Sequence, residues 1–306
     1  MTAAAEPAIR TLELTKRYGA EVALAGLTMA VQRGEVFGFL GPNGSGKTTA
    51  VKLLLGLTAT SGGEAWLLGM PAGHRQTRRR VGYLPELFRY QAWLTGREVL
   101  ALHCELARLP RPTWRNEIDA ALATIGLADH GDARVGTYSK GMQQRLGLGV
   151  ALLGDPELVI LDEPTSALDP VGRHDTRSII RELSDRGSAV FLNSHLLGEV
   201  EQICDRVAVV SHGRVLTTGT IDQLLGGNSV RLRLGGVDAK VRAALARHGS
   251  GDEADGWISV RGVSSDAVPQ LVADVVAAGG RVYAVEPVRQ TLEDRFLSLL
   301  REEGGA

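Results

Sequence analysis

A wound α/β core with a helical insertion, followed by a small α+β domain, is the fold class this sequence predicts. Three observations predict it. Strand-like apolar runs alternate with helical stretches over residues 8–222, a mostly helical segment at about 95–155 interrupts that alternation, and a new strand–helix series fills 228–306.

In chain order, residues 9–14 and 24–31 read as strands, and the apolar run Val36–Leu40 reads as a buried one. Residues 49–55 read as a helix, and 63–68 and Val81–Leu84 as short strands. The helical stretch at 95–153 offers Thr95-x-x-Glu98 and Asn116-Glu117 as start signals. Residues 158–161 form an uninterrupted apolar strand, 176–185 a helix, and 189–192 and 207–210 further strands. The pattern changes across 215–228. Strands at 230–234, 257–260 and 282–285 then alternate with helices at 241–248, Val268–Ala277 and 291–301. The Ala-rich start and the Gly-Gly-Ala end read as disordered.

Composition excludes several classes of function. The 306 residues carry a formal net charge of -1, so no overall basic field recruits nucleic acid. Arg78-Arg79-Arg80 is the densest basic cluster and reads as a solvated helix face. Cys104 and Cys204 lie far apart in apolar, helix-like stretches, which suits reduced, buried thiols in a cytosolic protein. Residues 1–10 lack the pattern of a secretory signal, and no apolar run is long enough to cross a membrane.

The chemistry concentrates in Gly41-Pro42-Asn43-Gly44-Ser45-Gly46-Lys47-Thr48, between a strand and a helix, with Thr49 next to it. Glycines let successive N–H groups point at a polyphosphate, and the helix N-terminus adds partial positive charge. Lys47 is expected to reach the β and γ phosphates and the Thr48 hydroxyl to hold Mg²⁺. The apolar strand at 158–161 ends in Asp162 and Glu163. Asp162 is expected at the metal, and Glu163, facing bulk water or substrate, at the attacking water as general base. Tyr138-Ser139-Lys140-Gly141-Met142 opens a helix with apolar positions Met142, Leu146, Val150 and Leu153. Ser139 is its expected N-cap, and Gly141 permits close approach of a phosphate.

Over residues 8 to about 220 these motifs, in this order, resemble the ATP-binding-cassette family, the nucleotide-binding subunits of ABC transporters. The resemblance implies that Gly41–Thr48 is the Walker A loop and that 158–163 is the Walker B strand with its catalytic glutamate. It implies that Tyr18 stacks on adenine, that 166–169, ending in Asp169, is the D-loop, and that His195 is the switch histidine at the γ-phosphate. Two departures stand out. The signature reads Tyr-Ser-Lys-Gly-Met instead of Leu-Ser-Gly-Gly-Gln, and the Q-loop glutamine is Glu86, an oxygen ligand that brings a charge to the metal. Both are similar to type-2 exporter ATPases, as is the α+β tail.

The resemblance further implies an ATPase that pairs with a second copy around ATP, Ser139 and Gly141 of one subunit covering the nucleotide held by Lys47 and Thr48 of the other. A separate membrane permease is the implied partner, at the inner face of the cell membrane, with export the implied direction. Phe88, Tyr90 and Trp93 form either a docking patch for it or core packing. A soluble assembly-factor ATPase of the same family is the alternative. A P-loop kinase would lack the Ser139 signature and His195.

Overall fold

The apolar runs pair into three sheets. The computed structural model describes residues 6–225, 229–254, 256–288 and 291–304, and the chain divides into two compact units, 1–219 and 220–306. The two termini that read as disordered fall, at 1–5 and 305–306, outside the described residues, as do 226–228 within the predicted pattern change.

In chain order the first unit runs β1 (Ile9–Tyr18), β2 (Glu21–Val31), β3 (Val36–Leu40), α1 (Lys47–Leu54), β4 (Gly62–Leu67), β5 (Met70–Pro71) and β6 (Val81–Leu84). The helical part is α2 (Gly96–Leu106), α3 (Trp114–Thr124) and α4 (Lys140–Leu152). Then come β7 (Leu158–Asp162), α5 (Pro170–Asp185), β8 (Ala189–Asn193), α6 (Leu197–Ile203), β9 (Arg206–Ser211) and β10 (Arg214–Thr220). An antiparallel sheet has the order β2-β1-β4-β5, and a six-stranded sheet the order β10-β9-β3-β8-β7-β6. Strands β9, β3, β8, β7 and β6 pair in parallel. All five residues of β3, of β7 and of β8 are buried, which is why these runs read as continuously apolar rather than alternating. Phe39 and Phe37 meet Phe191 with ring centroids 5.2 and 6.1 Å apart. Each such buried ring contributes roughly 1.5–3 kcal/mol, and together they fix the strands that carry the site.

Several boundaries move for identifiable reasons. Helix α1 starts at Lys47, not 49, because Gly46, at φ 99°, makes the left-handed turn into it. Helix α5 starts at Pro170, not 176. Asp169 Oδ1 accepts from Gly172 N at 2.7 Å, and proline is suited to a first helical turn. Helix α3 starts at Trp114, so Asn116 and Glu117 lie inside its first turn instead of opening it. The Thr95–Glu98 capping box forms as expected, Thr95 Oγ1 accepting from Glu98 N at 3.2 Å and Glu98 Oε2 from Thr95 N at 2.8 Å. Helix α6 is only seven residues long and β10 is a Thr-rich strand, and neither has a periodicity that sequence reasoning detects.

Of the arginine cluster, Arg78 and Arg79 are exposed as read, and Arg80 is half-buried. Residues Thr77–Arg80 form a single 3₁₀ turn, and Arg80 bonds Glu157, the residue before β7, which also takes Arg33 Nη1 at 2.8 Å. These guanidiniums, Arg80 first, hold the Glu157 carboxyl down at about 2. Cys104 and Cys204 are free and buried, and burial raises both thiols above their ordinary range. Among the described residues no helix is long and apolar enough to cross a membrane.

The second unit opens with α7 (Ile221–Leu224) and continues β11 (Ser229–Gly235), α8 (Ala239–Ala246), β12 (Ser250–Ala254), β13 (Trp257–Arg261), α9 (Val268–Ala277), β14 (Arg281–Val288) and α10 (Leu292–Gly304). Its sheet has the antiparallel order β12-β13-β11-β14. With its βαββαβ sequence this is the split βαβ, ferredoxin-like arrangement. Val230, Leu232, Ile258 and Val260 face Val241, Leu245, Leu271 and Val275 in a separate core. Strand β12 was not expected, since Ser-Gly-Asp-Glu-Ala lacks β-branched residues. It forms as the hairpin partner of β13. Thr291 caps α10, its Oγ1 accepting from Asp294 N at 3.1 Å, so the helix begins one residue later than read.

Candidate functional site

Strand β3 lies between β8 and β9, and at its C-terminal end Leu40 hands the chain to Gly41. Glycine is required there. A Cβ on Gly41 would stand 2.3 Å from Val210 O and 2.5 Å from Ser45 Oγ. One on Gly46 would stand 2.3 Å from Ala23 O. The loop therefore curls tightly against β9 and β2, leaving Asn43 and Gly44 exposed at its tip. Helix α1 has no side-chain cap and no acidic residue in its first turn, so its leading N–H groups and dipole favour an anion. Lys47 Nζ donates to Gly41 O at 2.7 Å and Pro42 O at 3.1 Å. Burial lowers its pKa, against the opposing pull of Glu163, Asp162 and Glu86. Ser45 Oγ is buried without a hydrogen-bond partner. Thr48 is exposed at the start of α1, with Thr49 half-buried beside it.

The acidic side is built by β7 and β8. Asp162 pairs with Asn193 across the strands, and Asn193 Nδ2 donates to Asp162 Oδ1 at 2.5 Å. Burial pushes the Asp162 carboxyl up to about 6, the neighbouring Glu86 and Glu163 adding to the shift. Glu163 was expected to face bulk water or substrate; at only 7% exposed it does not face bulk water. Its φ of 53° is rare for a residue with a side chain and turns the carboxylate back over the sheet end. There Oε1 accepts from His195 N at 2.9 Å and lies 2.8 Å from His195 Nδ1, while Ser194 Oγ donates to Oε2 at 3.4 Å. Glu163 N donates to Asn193 O at 2.8 Å, which closes the unit.

Lys47, Asp162, Glu163, Glu86 and His195 thus converge at the C-terminal ends of the parallel strands, the expected ligand position in a wound sheet. Tyr83 joins them from β6, its hydroxyl pushed up to about 12 by burial and by Asp162 and Glu86. The other expected residues lie on other elements. Tyr18 ends β1, 47% exposed, with Lys16 Nζ 4.8 Å from its ring centroid. Ser139 is exposed at the start of α4, where its Oγ accepts from Met142 N at 3.2 Å. Gly141 lies against Leu168, and Asp169 caps α5. The apolar positions expected for α4 hold for Leu146, whereas Met142 and Val150 are half-buried and Leu153 is the C-cap.

The aromatic segment divides. Phe88 packs on Tyr90 at 5.3 Å and Tyr90 edge-on to His103 at 5.9 Å, so these two are half-buried against one another and α2. Trp93 and Leu87 are 71% and 87% exposed. Sequence reasoning missed Asn193 and Ser194, although two polar residues closing an apolar strand just before His195 were a usable signal. It also missed Gln144, a buried amide on α4.

A hard-oxygen set of Thr48, Asp162 and Glu86 suits a small divalent cation that takes most of its ligands from water and substrate phosphates.

The ABC transporter family matches residues 24–166. An uncharacterized ABC transporter ATP-binding protein of Nostoc sp. is 42% identical over 286 residues, spanning 92% of this chain and 84% of that protein. The Nod factor export ATP-binding protein I of Rhizobium meliloti is 35% identical over 302 residues, 97% of this chain and 89% of its own. A solved ATP-binding subunit of an ABC transporter superposes with a TM-score of 0.66 at 29% identity, over 71% of this chain and 91% of that one.

Proposed function

The chain belongs to the ABC transporter family of ATP-binding proteins and is an ATPase, and from that membership we propose that it pairs with a second copy around ATP to drive a separate permease, in export. The observation that supports the hydrolytic part of this reading is the Glu163–His195 contact of 2.8 Å, which suits a carboxylate that takes a proton from water. The relative named for Nod factor export, similar over 97% of this chain, supports the direction.

In this reading residues 8–222 are the ATPase domain, with its helical subdomain at about 95–155, and 228–306 an accessory domain. The loop amides, Lys47 and Thr48 bind the triphosphate, and Tyr18 stacks on the base. Thr48, Asp162 and Glu86 would hold Mg²⁺, which supplies charge neutralisation at the β and γ oxygens. Glu163 accepts the proton of the attacking water. His195, bonded to Glu163 through both its N–H and Nδ1, fixes that carboxylate and presents its other ring nitrogen to the γ-phosphate. Ser139 and Gly141, exposed or half-exposed at the start of α4, cover the partner's nucleotide, bringing a second helix N-terminus to the same phosphates. Cleavage removes the γ-phosphate that both copies grip, and they part.

Capture from detergent-solubilised membranes tests the partner. A co-purifying protein with several apolar spans is expected, and recovery of soluble metal-cluster proteins alone would favour an assembly factor instead. Trp93 and Leu87 are the exposed apolar residues expected at that contact.

A further inference from the structure

Helix α4 does more than present Ser139 and Gly141. Gln144, five residues after Ser139, is only 6% exposed, and its Nε2 donates to the backbone carbonyl of Glu163 at 3.3 Å. The same carbonyl accepts from Ser166 Oγ at 3.1 Å and Ser166 N at 3.3 Å. Glu163 has a left-handed φ of 53°, a conformation that persists in a residue with a Cβ only when its surroundings over-determine it. Asn193 O holds the Glu163 N–H, and Gln144 together with Ser166 holds its carbonyl, so the peptide groups on either side of this residue are fixed from β8, from α4 and from the following loop. At the start of α4, a Cβ on Gly141 would meet Leu168 Cδ2 at 3.5 Å, so this helix also touches the loop that contains Ser166.

We infer that Gln144 is a positioning residue that ties α4 to the backbone of Glu163, so that engagement at the N-terminus of α4 is transmitted to the carboxylate of the same chain. The transmission part rests on the pairing proposed above. In a pair, the partner's nucleotide seats on Ser139 and Gly141, and Gln144, less than two helical turns on, reports that seating to this chain's own general base. Each copy thereby couples the two sites through one rigid helix.

The test substitutes Gln144→Met in the full chain, close in volume but without the donor. Gln143→Met is the control, since Gln143 Nε2 donates to Tyr138 O instead. With ATP and Mg²⁺, Gln144→Met is expected to lower kcat about five- to tenfold while KM stays within about twofold. Gln143→Met should leave both unchanged. In a Glu163→Gln background, adding Gln144→Met should leave the ATP concentration for half-maximal pairing unchanged, because only the placement of residue 163 is altered. Wild-type kcat in Gln144→Met, an equal loss in Gln143→Met, or ATP affinity falling in step with kcat would each overturn the assignment. Failure of Glu163→Gln alone to pair overturns the pairing proposal, and the split between kcat and KM still decides the role of Gln144 within one chain. Should Gln144→Met not fold, Gln144→Glu, of equal length and lacking the N–H donor, carries the same test.

Discussion

Adding one methyl group at Gly41 tests whether the phosphate loop is held as tightly as its geometry demands. The new Cβ would lie 2.3 Å from Val210 O and 2.5 Å from Ser45 Oγ. Val210 is wholly buried in β9, so its carbonyl cannot yield and the loop must move instead. Overpacking of this kind costs about 1–3 kcal/mol, partly offset by about 0.4–1 kcal/mol from the stiffer unfolded chain. At roughly 2–4 °C per kcal/mol the Tm of Gly41→Ala should fall by several degrees. ATP affinity should fall with it, since the displaced amides belong to the loop proposed to bind the triphosphate. Two glycines calibrate the effect. Gly44, at φ 80° with open space around it, should cost only the left-handed penalty of about 1–2 kcal/mol on alanine substitution. Gly198, inside α6 with nothing within 4 Å, should gain up to about 1 kcal/mol as alanine. Melting curves with and without ATP, and fluorescent-nucleotide titration, read all three. Equal behaviour of Gly41→Ala and Gly198→Ala would refute the reasoning.

Three further outcomes follow from the same structure. Asp162→Asn should raise stability without metal at pH 8. The folded pKa of about 6 lies above the ordinary 3.8, so the buried carboxylate costs stability as pH rises through that window, by about 2–3 kcal/mol at 1.36 kcal/mol per unit. The gain over wild type should vanish near pH 4, and thermal melts in a chelator check it. Glu157→Gln should destabilise at neutral pH. Its folded pKa of about 2 lies below the ordinary 4.5, so the contribution is present above pH 5 and lost as pH falls toward 2. At 40% side-chain exposure screening reduces it to about 1 kcal/mol, measurable by urea titration across that range. His195→Ala should lower kcat by roughly 10²–10³ yet leave the Tm unchanged, since this side chain is 59% exposed.

The core was readable because Val36–Leu40 and residues 158–161 are uninterrupted apolar runs, which a doubly covered parallel sheet requires. The phosphate loop was readable from local spacing alone. What escaped was decided by tertiary partners. Strand β12 exists because β13 pairs with it, not because Ser-Gly-Asp-Glu-Ala favours extension. Glu163 reads as an acid at a strand end facing bulk water or substrate, and only the φ of 53° and the backs of β8 and α4 reveal that it is buried and gripped. Asn193, Ser194 and Gln144 carry no motif of their own. Their roles come from 31- and 19-residue separations that the fold closes. Arg80 shows the opposite error: it ends a run whose first two members are solvated as read, yet it is itself committed to Glu157.

Light scattering of the Glu163→Gln chain with saturating ATP and Mg²⁺ tests the central proposal most directly. A mass that doubles with ATP, returns to that of one chain when nucleotide is removed, and fails to double in Ser139→Arg is the expected result. A mass that remains that of a single chain at every ATP concentration, with the purified membrane partner present as well, would contradict it.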